Sequence, residues 1–383
     1  MISLLSRFLS FLLCLILCFS FFSCAKEPPE TVDLIAFSEL GSPAKEAFPD
    51  NGIARCPWDM ILYKSRLYLG GGDYDKNAGP VPVFSYDTKE SAWHTGDALL
   101  EEEINRFLVV DGALTIPGVD ATEDWSFGNY YTQTDGVWVK NRTLPGAIHN
   151  FDFLSYDGML FAALGVKAGK YPVVCSKDGG ESFSEIVFEK DGAPLDTTAY
   201  QTVRVHDFLL LDGALYALFT YGDGALSHDL YRYDTERGVF LFDNEWGEKL
   251  KRVKMNNMQI TAKEALGDTL YLATGRLYAT TDMQALTDVT PEGVQLVCDL
   301  YRDGRSLYLL CATKETDGSG KFKTSVYKLW QGDSPFFTEL FNLVYDVPAL
   351  SLAVDGDDFY IGMGNTTKAN DKNGTVLYVN YAP

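Results

Sequence analysis

Short apolar runs broken by two-residue polar turns recur along most of this chain. The clearest is Val205-His206-Asp207-Phe208-Leu209-Leu210-Leu211-Asp212-Gly213-Ala214-Leu215-Tyr216-Ala217-Leu218, which reads as two strands joined by Asp212-Gly213. Asp-Gly is a strong hairpin signal because a tight two-residue turn needs positive φ at its central positions. Val109-Val110-Asp111-Gly112-Ala113-Leu114 and Ser155-Tyr156-Asp157-Gly158-Met159-Leu160-Phe161 keep the same offsets, and looser copies surround Ser65, Asp268, Gly304 and Gly356. The apolar residue opening the second strand falls at Leu67, Leu114, Leu160, Leu215, Leu270, Leu307 and Phe359, with spacings of 37 to 55 residues.

A second series keeps the same period. About 7 to 19 residues after each hairpin comes a further strand-like run: Val83 to Asp87, Tyr130 to Thr134, Val174 to Ser176, Leu230 to Asp234, Leu277 to Thr280, Val326 to Trp330 and Leu377 to Tyr381. In most units a fourth short strand follows, as at Gly238 to Phe242. Four antiparallel strands at nearly fifty residues per unit mark a β-propeller blade. The pattern therefore predicts an all-β fold, a β-propeller of seven four-stranded blades. A six-bladed ring with an irregular fifth unit competes, because the spacing of 37 residues falls there. The last unit stops at its third strand, and a strand-like run, Thr31 to Phe37, precedes the first unit. Pairing that run with Leu377 to Tyr381 closes the ring and removes an open sheet edge.

The ends and the charge place the domain. Residues 1–23 read as a signal peptide: Arg7 supplies a positive charge, and Phe8 to Phe22 is an apolar run of 15 residues, short for a membrane span. Phe21-Phe22-Ser23-Cys24-Ala25 resembles a bacterial lipoprotein signal, in which a small residue precedes a diacylated Cys that becomes the new N-terminus. Phe21 departs from the Leu usual in that family. The resemblance implies lipidation of Cys24, a tether over 24–30 and one propeller domain over 31–383, anchored at the cell envelope and facing outside the cytoplasm. Ordinary secretion with cleavage after Ala25 is the competing reading.

The full chain carries 32 Lys and Arg against 53 Asp and Glu, a net charge of −21. That charge repels nucleic acid and anionic headgroups, so DNA and RNA are excluded as partners. A monomer with a membrane anchor and a glycan or protein ligand is the expected partner set. Cys56, Cys175, Cys298 and Cys311 remain once the signal and lipidated cysteines are set aside. Cys298 and Cys311 flank the Asp303-Gly304 turn on one face by parity, so a disulfide and two buried thiols both remain open. No Cys/His spacing matches a zinc site. Glu101 to Ile104 is read as one short helical turn.

Ser176-Lys177-Asp178-Gly179-Gly180-Glu181-Ser182-Phe183 resembles the Asp-box of sialidase-like propellers, Ser-x-Asp-x-Gly-x-Thr-Trp, with Ser for Thr and Phe for Trp. In that family the box is a turn device remote from the catalytic face. The resemblance also implies an arginine clasp for a carboxylate, and Ile53-Ala54-Arg55-Cys56-Pro57 keeps an Arg and a Pro where the first such Arg lies. No motif marks the other two arginines or a nucleophile pair. Two function classes follow: a surface-tethered module binding a glycan or protein, which the missing arginine set favours, and a sialidase-like glycoside hydrolase or lyase.

Gly70 to Pro80 is a Gly-rich loop without the Gly-Lys-Ser/Thr of a phosphate loop. Its Asp73, Asp75 and Asn77 alternate like Ca²⁺ ligands, making Ca²⁺ the one candidate cofactor, against a plain solvated loop. The loop at Glu123-Asp124-Trp125 sets a Trp beside carboxylates, a combination suited to sugar stacking. One column of the repeat adds a candidate site. Eight residues before each second-strand marker lie Asp59, Arg106, Asp152, Asp207, Ala262, Asp299 and Ser351. A charge opening an apolar innermost strand is costly without a partner. These acids and Arg106 are expected to converge at the channel mouth with Trp58, His149 and His206 nearby. They serve either as a ligand rim or as caps on the neighbouring blade's N–H groups.

Overall fold

The computed structural model describes residues 35–200, 202–221, 227–246, 250, 260–330 and 336–382. The signal segment and Cys24 lie outside them. The described chain is an all-β propeller. Five of the seven sequence repeats form separate four-stranded sheets, and the third and fourth repeats run together in one twelve-stranded sheet. Within that sheet each still holds its own antiparallel meander, from His149 to Glu185 and from Thr202 to Glu245. They are joined where Gly165, Val166 and Lys167 pair with Arg204, Val203 and Thr202. First strands of successive repeats lie side by side, and the seventh returns to the first.

The hairpin turns adopt the geometry expected of their residues. Asp111, Asp157 and Asp212 have φ of 48°, 49° and 50°, and each following glycine is also positive. A short Asp tolerates this left-handed region, and Gly enters it without steric cost. Beyond the turns, each second strand packs neighbours on both faces, which is why its apolar run hardly alternates. Ser306–Lys314 is buried at six consecutive positions, whereas most of the outer strand Ala92–Leu99 is exposed. Phe161, Phe188, Phe208, Phe219 and Phe240 are 0 or 1 % exposed, and each contributes about 1.5–3 kcal/mol.

Two local expectations are corrected, and a third question, left open between a disulfide and two buried thiols, is decided for the thiols. The closing strand is Ser38–Gly41, not the run ending at Phe37: Ser38 pairs with Tyr378 and Gly41 with Val376, and positions 31–34 fall outside the described residues. The shift places Glu39 where the Tyr345 hydroxyl donates to it at 2.7 Å and Lys372 at 2.8 Å, while Trp93 Nε1 donates to the Leu40 carbonyl at 2.8 Å. Glu101–Glu103 is a strand paired with Val119–Ala121, not a helical turn, and Gly118 makes room for the Glu101 carboxyl, which a Cβ there would meet at 2.9 Å. Cys298 and Cys311 are free thiols. A bulge between Val297 and Asp299 breaks the parity argument and puts Cys298 and Cys311 into different core clusters.

Closure by Ser38–Gly41 ties repeats six, seven and one together, and its loss exposes the edge of Thr375–Asn380. Deleting residues 38–41 is expected to lower the melting temperature by at least 10 °C and increase aggregation. Thermal denaturation and light scattering of the truncated and parent forms check this.

Candidate functional site

The site begins with a bulge. In repeats three, four, six and seven the first strand slips register at Asn150/Asp152, Val205/Asp207, Val297/Asp299 and Ala349/Ser351. The extra residue turns the column side chain along the ring, toward the next repeat. Asp59 Oδ2 accepts the Phe107 N–H at 2.6 Å, Asp152 Oδ2 that of Phe208 at 2.8 Å, and Asp299 Oδ2 that of Leu352 at 2.7 Å. Ser351 donates to the Pro57 carbonyl at 2.8 Å, continuing the series across the ring closure. Three of the four column aspartates are thus caps on the neighbouring repeat. Charge-assisted bonds of this kind are worth about 1.5–3 kcal/mol.

Where the column is not acidic, a cation enters. Arg106 donates to Asp207 Oδ1 at 2.9 Å and to the Ile260 carbonyl at 3.1 Å, and lies 3.6 Å from Asp152. Repeat five has Ala262 in the column, and the adjacent Lys263 pairs with Asp152 and, at 3.2 Å, with Asp207. Burial holds Asp207 above the ordinary carboxylate range even with Arg106 and Lys263 opposing it. Asp59, Arg106, Lys263, Glu264 and Asp299 line one channel cavity of ≈ 150 Å³. Burial pushes Asp59 up to about 6 against the Phe107 N–H and Arg106. It also pushes Glu264 up to about 7 against Arg302 and Lys263, and raises Asp299 well above its usual value, with Asp59 adding to the rise.

The expected convergence is therefore real for Asp59, Arg106, Asp152, Asp207 and Asp299, but two companions do not join it. Arg55 is buried and donates from Nε to the Phe48 carbonyl at 2.8 Å and from Nη2 to the Pro49 carbonyl, so it clamps backbone. Trp58 packs in the core, with Nε1 donating to the Gly72 carbonyl at 2.8 Å. Lys263 and Glu264 escaped the sequence reading because the column slot beside them is Ala262. Two consecutive charges in an innermost strand were the available signal.

A second grouping lies on the loop face. Glu103, Val119, His149, Gly165, Arg204, Thr220 and His228 are successive register partners, one row across seven strands. Partnered residues share a sheet face, so their side chains stand in line. A Cβ at Gly165 would lie 2.9 Å from His149 Cδ2 and 3.1 Å from Phe151 Cε2, so only Gly lets those rings lie over the strand. Phe151 stacks between His149 and His206, and His206 Nδ1 lies 3.4 Å from the Thr220 hydroxyl. Burial, then Arg204, pushes His149 down to about 4, so its ring is neutral near pH 7. Burial likewise raises Glu101 to about 8, against hydrogen bonds from Asn129 at 2.6 Å and Tyr131 at 3.1 Å.

The loop candidates divide. Asp73 is buried and accepts from Asn51 Nδ2 at 3.0 Å, while Asp75 is exposed on a short 3₁₀ turn. Among the described residues the one set of three His, Cys, Asp or Glu ligands within 4.8 Å is Asp87, Glu90 and His94; Asp73 and Asp75 form no such set. Trp125 is 48 % and Phe127 45 % exposed. Their loop is pinned at its base by Arg142 Nη2, which donates to the Asp124 carbonyl at 2.7 Å and to Asp124 Oδ2 at 2.8 Å. At the Ser176–Phe183 turn, Asp178 accepts from Ser182 N at 3.0 Å and Ser176 Oγ from Gly180 N at 2.8 Å, a local device on the outer part of the third repeat.

No family model matches this chain, and no curated protein does. Solved structures do. A polysaccharide lyase of a new family, an ulvan lyase, is 13 % identical, with a TM-score of 0.48 over 91 % of this chain and 96 % of that one. A chain of the mitotic checkpoint complex is 11 % identical, with a TM-score of 0.48 over 84 % and 90 %. The computationally designed Ika8 protein is 10 % identical, with a TM-score of 0.47 over 85 % and 96 %.

The raised carboxyls set a pH dependence. A carboxyl whose folded pKa exceeds its unfolded value binds its proton more tightly when folded, so its stability contribution is present at low pH and lost as pH rises. For Glu264 the window runs from about 4.5 to about 7. Glu264→Gln is expected to make the decline in stability between pH 5 and pH 8 shallower by about 1–3 kcal/mol. Urea denaturation at both pH values measures it.

Proposed function

We propose that this chain is an extracytoplasmic glycan-binding protein, held at the cell envelope by lipid on Cys24. Its domain is a seven-bladed ring in which the two joined meanders count as the third and fourth blades. It acts as a monomer, and its ligand lies on the loop face, beside the row from Glu103 to His228.

One observation supports this reading above others. Glu101 Oε2, Glu103 Oε1, Asn105 Oδ1, His149 Nδ1 and both amide atoms of Asn150 are buried with no partner among the described residues. Each such atom costs roughly 1–3 kcal/mol if nothing satisfies it. They sit on two neighbouring segments, 101–105 and 149–150, and mix donors with acceptors, as a polyhydroxylated ligand requires. Trp125 and Phe127 project from the pinned loop of the same region, and an exposed indole face suits sugar C–H groups. The channel carboxylates serve a different end, since most of their oxygens already hold backbone or cations. The reading needs no cofactor, and nucleic acid is not a partner for a chain of net charge −21.

Two experiments test this. On a glycan array, Trp125→Ala is expected to weaken binding about five- to tenfold with an unchanged melting temperature, as loss of one exposed stacking contact implies. Equal binding by variant and parent removes the loop from the site. Cys24→Ala is expected to shift the protein from the detergent phase to the aqueous phase, or to leave an unprocessed precursor. Normal processing with unchanged detergent partitioning rejects the lipid anchor.

A further inference from the structure

A groove between the first and second repeats shares no lining residue with the channel cavity. It encloses ≈ 520 Å³, within the roughly 300–1,000 Å³ of small-molecule sites. The channel cavity, at ≈ 150 Å³, falls below that range. One wall is the sheet of the first repeat, contributing Arg66, Tyr68 and His94. The other is the outer hairpin of the second, contributing Gln133 and Trp138.

The walls are set in place by the chain itself. The half-buried Trp138 ring meets Tyr68 edge to face, with centroids 6.2 Å apart and planes at 87°. Gln133 Nε2 donates to the Tyr68 hydroxyl at 3.0 Å, fixing the amide beside both rings. Side chains immobilised in advance lose little entropy when a ligand arrives. The floor carries a glycine, Gly96, inside the strand Ala92–Leu99. A Cβ there would lie 3.0 Å from the Val83 carbonyl oxygen and otherwise no nearer than 3.9 Å to anything. Strand glycines often mark close approach of a ligand or another backbone. The strand also bulges at this point, opposite Pro82 to Phe84, and such bulges re-aim side chains beside binding sites.

The charges choose the ligand class. Arg66 is 3.2 Å from Asp87, so its charge is already compensated. Asp97, on the groove lining, disfavours an anion. What remains is an aromatic ring with amide, imidazole and carboxylate groups around it, a match for C–H faces and hydroxyls together. We propose that this groove binds a short neutral oligosaccharide, one sugar packing on Trp138 and its hydroxyls meeting Gln133, His94 and Asp97. The site is separate from the loop face and stands whether or not that face binds a glycan.

Calorimetric titration of the full chain in detergent with cellohexaose, laminarihexaose, mannohexaose and polygalacturonate tests it. At least one neutral hexaose is expected to bind with a component that Trp138→Ala and Gln133→Ala each weaken at least fivefold. His94→Ala weakens the same component, and Trp125→Ala leaves it unchanged. If Trp138→Ala lowers the melting temperature, Gln133→Ala and His94→Ala decide the matter, because neither is core. The proposal is overturned if no neutral hexaose binds, if only polygalacturonate binds, or if the groove variants keep parental affinity. A component lost in Trp125→Ala alone reports the loop face, and the groove is overturned if that is the sole component seen.

Discussion

The ring is held around its channel by side chains that reach from one repeat into the next. Asp59, Asp152, Asp299 and Ser351 each bond the backbone of the neighbouring repeat, and each of the last three follows a bulge that aims it there. A blade alone leaves those innermost N–H groups without partners, in a place too narrow for ready hydration. Capping satisfies them and fixes the angle between blades in the same contact.

The irregular positions of the column follow from this constraint. Four aspartates pointing into one narrow channel repel one another, and desolvation raises the cost. Arg106 and Lys263 relieve it on the side of repeats two to five, where they bind Asp152 and Asp207 between them. Among the described residues no cation of that kind contacts Asp299, and burial leaves Asp59, Glu264 and Asp299 with raised affinity for protons. The channel is thus divided into an ion-paired half and a protonatable half. Its small volume and its many internal bonds leave it packed mostly by its own side chains.

The merging of the third and fourth repeats has a structural consequence as well. Gly165 pairs at once with His149 and Arg204, joining two meanders into a continuous sheet and lining up His149, Arg204, Thr220 and His228. A side chain at Gly165 would collide with His149 and Phe151. The same small residue therefore permits the sheet continuity and the polar row, and the buried polar atoms of Glu101, Glu103, Asn105 and Asn150 gather beside it.

Turn positions and repeat period were legible in the chain alone, because hairpin turns and apolar alternation are local properties. Asp-Gly pairs at 111–112, 157–158 and 212–213 specify their turns through backbone sterics, and the column of aspartates was visible through the period itself. Residues whose role depends on register were not. The bulge before Asp299 separates Cys298 from Cys311, the closing strand sits past Phe37, and Arg55 turns toward Phe48 and Pro49, away from any rim. Lys263, Glu264 and Arg204 gain their partners only when strands distant in sequence come together around the channel. A local pattern encodes strands and turns through steric and hydrophobic periodicity. Which charge meets which is decided by ring closure, since that depends on distances across the channel that no stretch of sequence contains.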